Sequence, residues 1–251
     1  MADSPIEQFE IHQIVPLIKI AGHQISFTNS AAYMLIAVAL TAALMLGATA
    51  GRRLVPTRMQ SVAELSYEFI ANMIRSAAGE HGLKFFPLVF SLFMFILFAN
   101  VVGLIPYTFS VTSQLVITAT LALLVFFTVI LHGIWQHGLH FFKLFAPSGV
   151  PIVILPMIVI IEILSFVARP ISHSVRLFAN ILAGHITLKL VAGFVTAMIG
   201  GLGVLGWFAG TLPLAFTVAL YALELLVAFL QAYVFAILTC IYLNDSLHPS
   251  H

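Results

Sequence analysis

Three side chains in the second half of the chain suit proton chemistry inside an apolar environment. Arg176 lies in SVRLFANILAGH (174–185), and arginine keeps its positive charge under ordinary conditions. Placing an arginine at the centre of a membrane helix costs about 2.5 to 3.5 kcal/mol on insertion scales. His185, with an ordinary pKa of about 6.5, can relay protons, and a carboxyl such as Glu224 in an apolar helix can exchange one near neutral pH. Arg176 therefore requires a functional explanation.

Several polar residues share a helical face with Arg176. At about 100° per residue, four of them fall within about 40° of it, namely Glu162, Arg169, Ser172 and Asn180. His185 lies about half a turn round and about 13 Å further along, so it should not touch Arg176. Such a stripe is either a structural hydrogen-bond network or the lining of a wet cavity or partner contact. The second is the usual case for ionisable groups inside a membrane.

Glu224 and Gln231 form a second polar stripe in ELLVAFLQAYVF (224–235), seven residues apart and two turns along one face. If the last two helices pack antiparallel, Glu224 approaches His185, and the carboxylate and imidazole form a proton relay. Two alternatives stay open: the pair is purely structural, or His185 is an ordinary buried histidine satisfied in the core.

The composition indicates an integral membrane protein. Hydrophobic residues make up 61% of the chain and charged residues 8%, whereas soluble domains contain about 25% charged residues. A net charge of +1 excludes the basic surface of a nucleic-acid-binding protein. No GxxxxGK[ST] motif is present, so nucleotide chemistry is not expected on this chain. We also expect no cofactor and no metal site.

Uncharged segments predict the elements that position these residues. Residues 20–51 and 85–142 contain no Asp, Glu, Lys or Arg. About 20 helical residues cross a bilayer, so the first segment predicts one span, and the second predicts two with a turn near 103–113. Apolar stretches within 150–243 predict two long helices, tilted or bent. The expected fold is all-α, with about five membrane-crossing helices in a single domain, 1–251.

Segment 57–79 differs from the spans because it is amphipathic. Its apolar residues recur at helical spacing while its charges lie elsewhere on the wheel: Val62, Leu65, Phe69, Ile70 and Met73 against Glu64, Glu68 and Arg75. This pattern is typical of a helix lying in the membrane interface. The alternative is a cytoplasmic helix packed on the membrane helices.

Basic residues predict the orientation of the chain. Arg52, Arg53 and Arg58 follow the first span, whereas the preceding tail has Lys19 among more numerous acidic residues. The positive-inside rule then places the tail, 1–28, outside and the C-terminus inside. The tail also lacks the pattern of a cleaved signal or transit peptide.

Four segments together resemble subunit a of the F-type ATP synthase. They are IEILSFVARPIS (161–172), SVRLFANILAGH (174–185), NVVGLIPYTFSVTSQL (100–115) and ELLVAFLQAYVF (224–235). The similarity covers nearly the whole chain in family order. The combination of His185 with Glu224 is similar to the alphaproteobacterial and mitochondrial pattern.

The resemblance implies a stator that passes protons to and from a rotating ring of small hairpin subunits, the c-ring. In that reading Arg176 faces a ring carboxylate and separates two half-channels, with Asn180 and Gln231 nearby. His185 and Glu224 line the outer half-channel and Glu162 the inner one. Two tail residues, Asp245 and His248, lie at the inner mouth, and a stripe of small residues contacts the ring: Ala179, Ala183 and Gly184.

The implied partners are the c-ring, b-type subunits of the peripheral stalk, the rest of the ATP synthase and membrane lipids. The implied location is a bacterial inner membrane, with the mitochondrial inner membrane as the alternative. Two rival functions stay open, a self-contained secondary transporter or antiporter and a membrane scaffold that does not transport. The transporter is disfavoured because internal repeats and a carboxylate on the turn after Arg176 are both missing from the sequence.

Overall fold

Six α-helices make up most of the residues that the structure describes. The structure is a computed structural model and describes residues 9–20, 23–50, 56–106, 108–145, 151, 154–202 and 204–247. The helices are α1 (Asn29–Thr49), α2 (Arg58–Ala78), α3 (Phe86–Gly103), α4 (Leu115–His137), α5 (Leu155–Leu202) and α6 (Val204–Leu247). Short 3₁₀ turns occupy Glu80–Phe85, Val111–Ser113 and Gly138–Phe145.

Within the described residues, five helices are long and apolar enough to cross a membrane. They are all but α2, and α5 and α6, with 48 and 44 residues, are about twice as long as a perpendicular span requires. Each of these two contains an internal proline, Pro170 in α5 and Pro213 in α6. The expected all-α membrane fold with two long final helices is therefore confirmed.

The predicted turn in the long uncharged segment lies between α3 and α4. Gly103 ends α3 where the returning chain passes closely, since a Cβ added there would lie 2.9 Å from Ser110 Oγ and 3.2 Å from Ser110 Cα. The Thr108 hydroxyl donates to the carbonyl oxygens of Val102 and Ile105, both at 2.7 Å. The Val102 carbonyl, left free at the end of α3, is thus satisfied by the turn.

Helix α2 begins and ends at well-defined caps. The Thr57 hydroxyl accepts a hydrogen bond from the backbone N–H of Gln60 at 3.4 Å, and Gly79 leaves the helix at φ 68°, a conformation that favours glycine. One face, including Ile70 and Met73, is buried, whereas Val62 and Leu65 are exposed. The placement of α2 in the plane of the membrane stays a prediction.

A β-hairpin precedes α1, and the all-α prediction omitted it. Strand β1 (Gln13–Ile20) pairs antiparallel with β2 (His23–Thr28). The side chain of Asn29 joins the hairpin to α1: its Oδ1 accepts from the N–H groups of His12 and Ser30, and its Nδ2 donates to the Glu10 carbonyl at 3.0 Å.

The chain divides into two compact units. The first comprises Met1–Leu40, Ile96–Gln114 and Leu177–Gln231, and the second comprises Thr41–Phe95, Leu115–Arg176 and Ala232–His251. Helices α1, α3, α5 and α6 contribute residues to both. A single membrane domain stays a prediction, and the two units are described separately below.

Candidate functional site

In the second unit, an arginine of α5 joins two of the predicted proton-path residues. Arg169 Nη1 donates to Asp245 Oδ2 at 2.5 Å, and its Nη2 lies 4.0 Å from Glu162 Oε1. Glu162 and Arg169 are seven residues apart and share a face of α5, while Asp245 comes from the last turns of α6. We call these three residues the Arg169 cluster.

Aromatic rings hold the guanidinium of the Arg169 cluster in place. Its Cζ lies 5.4 Å from the ring centroid of Phe166 and 5.2 Å from that of Tyr242, within the range of cation–π attraction. The side chains of Arg169 and Asp245 are each 21% exposed. This cluster is therefore partly shielded from solvent, and the short bond to Asp245 is its strongest link.

Two further polar residues of α5 are buried in the second unit. His173 is 4% exposed and packs edge-on against Phe235, with ring centroids 3.8 Å apart. Ser174 Oγ lies 3.1 Å from Thr118 Oγ1 on α4. The sequence analysis assigns no function to His173 or Ser174. Two adjacent polar residues in an apolar helix nevertheless indicate that both need hydrogen-bond partners.

In the first unit, Glu224 of α6 fits against a glycine of α5. A Cβ added at Gly184 would overlap Glu224 Oε1 and lie 3.0 Å from its Cδ, so the missing side chain makes room for the carboxylate. Glu224 Oε2 is buried, without a hydrogen-bond partner among the residues that the structure describes. Gly184 immediately precedes His185, so the carboxylate lies against the turn of α5 that carries this histidine.

His185 itself has a different neighbour. Its ring meets that of Phe9 edge-on at a centroid distance of 6.2 Å, and the Phe9 carbonyl accepts a hydrogen bond from Gln114 Nε2 at 2.7 Å. Within the described part of the chain, no hydrogen bond joins His185 to Glu224. The direct relay between the two stays a prediction.

Hydrogen bonds fix α6 on both sides of Glu224, and those made by Asn100 are buried. Asn100 Nδ2 donates to the Ala228 carbonyl at 3.1 Å, and Thr112 Oγ1 donates to Asn100 Oδ1 at 2.7 Å. On the other side, the Tyr221 hydroxyl donates to the Leu104 carbonyl at 3.1 Å. The sequence reading gave Asn100 no role, although a lone asparagine in an apolar helix needs a partner.

Arg176 is exposed on α5 and has no acidic partner in the described part of the chain. None of the ion pairs or side-chain hydrogen bonds found among described residues includes it. The residues expected beside it, Ala179, Asn180 and Ala183, are also exposed, and Gln231 is half-buried. His248 lies outside the described residues, and no group of three His, Cys, Asp or Glu side chains within them could hold a metal ion.

Comparison with known proteins decides the family. The family model described as ATP synthase A chain matches residues 31–244. The chain belongs to the ATP synthase A chain family. It is 66% identical to ATP synthase subunit a of Rhodopseudomonas palustris (strain TIE-1) and 66% identical to that of Afipia carboxidovorans, over the full length of both chains in each case. The subunit a of Nitrobacter winogradskyi is 63% identical and covers 98% of this chain and 99% of its own.

Family membership confirms the resemblance to the alphaproteobacterial subunit. It also confirms that this member of the ATP synthase A chain family is a non-catalytic membrane subunit.

Arg169 lies closer to Asp245 than to Glu162. Neutralising Asp245 should therefore lower the stability of the subunit more than neutralising Glu162. We expect Asp245→Asn to destabilise the subunit by about 1.5 to 3 kcal/mol, the usual value of a hydrogen bond to a charged group. Glu162→Gln, which removes only the 4.0 Å contact, should cost less than about 1 kcal/mol. Thermal unfolding of the detergent-solubilised protein measures both. Equal midpoints for the two variants would contradict the assigned geometry.

The packing of Glu224 against Gly184 predicts a specific effect of adding one methyl group. Gly184→Ala should displace the carboxylate and reduce ATP-driven proton pumping between about tenfold and a hundredfold, the range for misplacing a reacting group by about 1 Å. Gly193→Ala is the matched control, because a Cβ at Gly193 meets nothing within 4 Å. Pumping is measured in vesicles that contain equal amounts of subunit. The same pumping rate in both variants would show that the close approach has no functional importance.

Proposed function

We propose that this chain is the proton-translocating stator subunit of a rotary F-type ATP synthase. In this proposal Arg176 faces a carboxylate carried by each subunit of the c-ring. The arginine separates two half-channels through which protons reach and leave the ring. ATP itself is made and hydrolysed on other subunits, since this chain has no phosphate-binding loop.

The observation that supports the proposal most directly is the difference between the two arginines of α5. Arg169 is paired with Asp245 and lies near Glu162, so its charge is balanced within the chain. Arg176, seven residues later, is exposed and has no ion pair with a described residue. A permanent charge in an apolar span needs a counter-ion, so we infer that the counter-ion of Arg176 is supplied by another chain.

A moving carboxylate is the counter-ion that makes use of this position. While it faces lipid it must be neutral, because burial disfavours its charged form and it keeps a proton. An opposite charge within about 4 to 6 Å lowers a carboxyl pKa by about 1 to 3 units, so the carboxyl releases its proton near Arg176. It takes up another proton on the far side, and the membrane field supplies about 2.3 kcal/mol per charge per 100 mV.

The arginine also prevents a leak in this mechanism. A guanidinium cannot give up its proton under ordinary conditions, so it repels a proton that would pass directly from one half-channel to the other. Protons then cross only by way of the ring, and the membrane field is converted into rotation. The exposed small residues Ala179 and Ala183 on the same helix allow the ring to approach closely.

The polar residues of each unit are assigned to one half-channel. In the first unit, Glu224 and His185 serve the outer half-channel, with Asn180 and Gln231 close to the ring. One oxygen of Glu224 is buried and has no hydrogen-bond partner among the described residues. This supports a role in which that atom meets water or a proton donor. In the second unit, Glu162 and Asp245 serve the inner half-channel, and His248 is placed at its mouth by resemblance alone.

The proposed function also implies the partners of the chain and its location. The partners are the c-ring, b-type subunits of the peripheral stalk and the remaining ATP synthase subunits, all within a lipid membrane. The family and the apolar helices establish a membrane protein. We propose the bacterial inner membrane, with the N-terminus outside and the C-terminus inside.

Substitution of Arg176 tests the function. In vesicles carrying the assembled ATP synthase, Arg176→Ala should lower ATP-driven proton pumping by about a hundredfold or more, as expected when one electrostatic group is removed from a reaction centre. Arg176→Lys separates the stator from a scaffold, because a scaffold tolerates any retained charge, whereas a site built for a guanidinium does not. Normal coupled pumping in Arg176→Ala would refute the proposal. Glu224→Gln in parallel tests the relay alone, and unchanged pumping would remove only that assignment.

A further inference from the structure

In the first unit, two buried glycines near the start of α6, Gly206 and Gly210, lie directly against the end of α5. A Cβ added at Gly206 would overlap the carbonyl oxygen of Met198 and lie 3.0 Å from the Cα of Ile199. A Cβ added at Gly210 would lie 3.1 Å from Cγ1 of Ile199 and 4.0 Å from the Val195 carbonyl oxygen. The two helices therefore approach so closely that Gly206 has no room for a side chain.

Two other glycines, at the end of α5, show that this close approach is local. A Cβ added at Gly200 or Gly201 meets nothing within 4 Å among the described residues, and both residues are exposed. Glycine inside a helix is less favourable than alanine, so helix stability does not explain Gly206 and Gly210. Their spacing of four residues is typical of membrane helices whose backbones are in close contact.

The two glycines of α6 share one face of that helix with Glu224. They precede it by eighteen and fourteen residues, which is about five and four helical turns. On α5, Val195 and Ile199 follow Gly184 by eleven and fifteen residues, about three and four turns. The contacts thus lie along one face of each helix, from the two glycines to the contact of Gly184 with Glu224. We call this line of contacts the α5–α6 seam.

The part of α6 between the two ends of the seam includes Pro213. Proline removes one backbone hydrogen bond from a helix and allows the helix to bend. A helix that can bend keeps a defined path only if it is held on both sides of the bend. The two glycines provide the contact before Pro213, and the hydrogen bonds of Asn100 and Tyr221 hold α6 after it. Because only a residue without a side chain fits at Gly206, its contact also resists sliding of α6 along α5.

We propose that Gly206 and Gly210 are positioning residues for proton transfer. By holding α6 against α5, they set the register that places the Glu224 carboxylate in the space left by Gly184. They lie about 27 and 21 Å from Glu224 along α6, at about 1.5 Å per residue, so they act through the helix and not by contact with the carboxylate. The inference rests on the proposed stator function and deepens it.

Alanine substitutions test this inference against exposed controls. Gly206→Ala should reduce ATP-driven proton pumping by about tenfold or more, because misplacing a reacting group by about 1 Å costs up to about a hundredfold. Gly210→Ala should reduce it less, by about twofold to tenfold, since its methyl group meets a side chain that can move. Gly200→Ala and Gly201→Ala should pump normally. Alanine improves helix propensity at all four positions, so a loss only at Gly206 and Gly210 reports the contact.

A second substitution separates the two glycines by what their methyl groups meet. Ile199→Ala removes the side chain that faces Gly210. The double variant Gly210→Ala/Ile199→Ala should therefore pump within about twofold of Ile199→Ala alone. The same change should not restore Gly206→Ala, whose methyl group meets the backbone of α5. Rescue of both glycine variants, or of neither, would overturn the inference.

Spin-label distances measure the register of α6 without reference to transport. In a Cys240→Ala background, Phe194→Cys on α5 and Leu226→Cys on α6 carry the labels, and both positions are exposed. In the full-length protein in detergent, Gly206→Ala should change the distance by about 1 Å or more, the displacement that removes the overlap with the α5 backbone. Gly200→Ala should leave the distance unchanged. An unchanged distance in Gly206→Ala would overturn the inference, even if pumping falls.

The outcomes also distinguish this inference from the stator function. Normal pumping in Gly206→Ala overturns the inference and leaves the stator function intact, because that function depends on the result for Arg176→Ala. Subunit content and ATPase activity, measured in every vesicle preparation, identify variants that fail to assemble. If Gly206→Ala fails to assemble, the milder Gly210→Ala decides, and normal pumping in that variant would overturn the inference.

Discussion

The charge of Arg176 is the constraint on which the account depends. A guanidinium in an apolar span is stable only if some group balances its charge, and within the described residues none does. Arg169 on the same helix shows the alternative, because it is balanced by Asp245. Among the described residues the chain thus balances one arginine and not the other, and the proposed stator function requires this difference.

Close packing of the helices determines the positions of the polar groups around Glu224. Gly184 has no side chain, so the Glu224 carboxylate approaches the backbone of α5. Asn100 and Tyr221 bind backbone carbonyls of the first unit and hold α6 in register around Glu224. In lipid such hydrogen bonds matter because no water replaces a lost partner. The position of Glu224, which we propose binds protons, is thus fixed by residues to which the proposal assigns no proton exchange.

Much of the fold could be predicted from the sequence because its physical signals are local. Two uncharged segments predicted the first three spans, and apolar stretches within 150–243 predicted the two long helices. Helical spacing identified the amphipathic segment that forms α2. The pairing of Arg169 with Asp245 could not be predicted, since the two residues are far apart in sequence and meet only through packing. The hairpin at 13–28 was missed because its apolar residues were interpreted only as part of a tail. The buried state of His173 was likewise visible only in three dimensions.

The identity of the chain that faces Arg176 can be measured directly. A photoreactive side chain at Asn180, exposed one turn after Arg176, is activated in the assembled complex, and the adduct is analysed by mass spectrometry. The same group at Val116, 77% exposed on α4, is the control. The account predicts that Asn180 forms an adduct with a peptide of another chain that has a carboxylate within an apolar segment. Adducts only with lipid or with this chain, as at Val116, would contradict it.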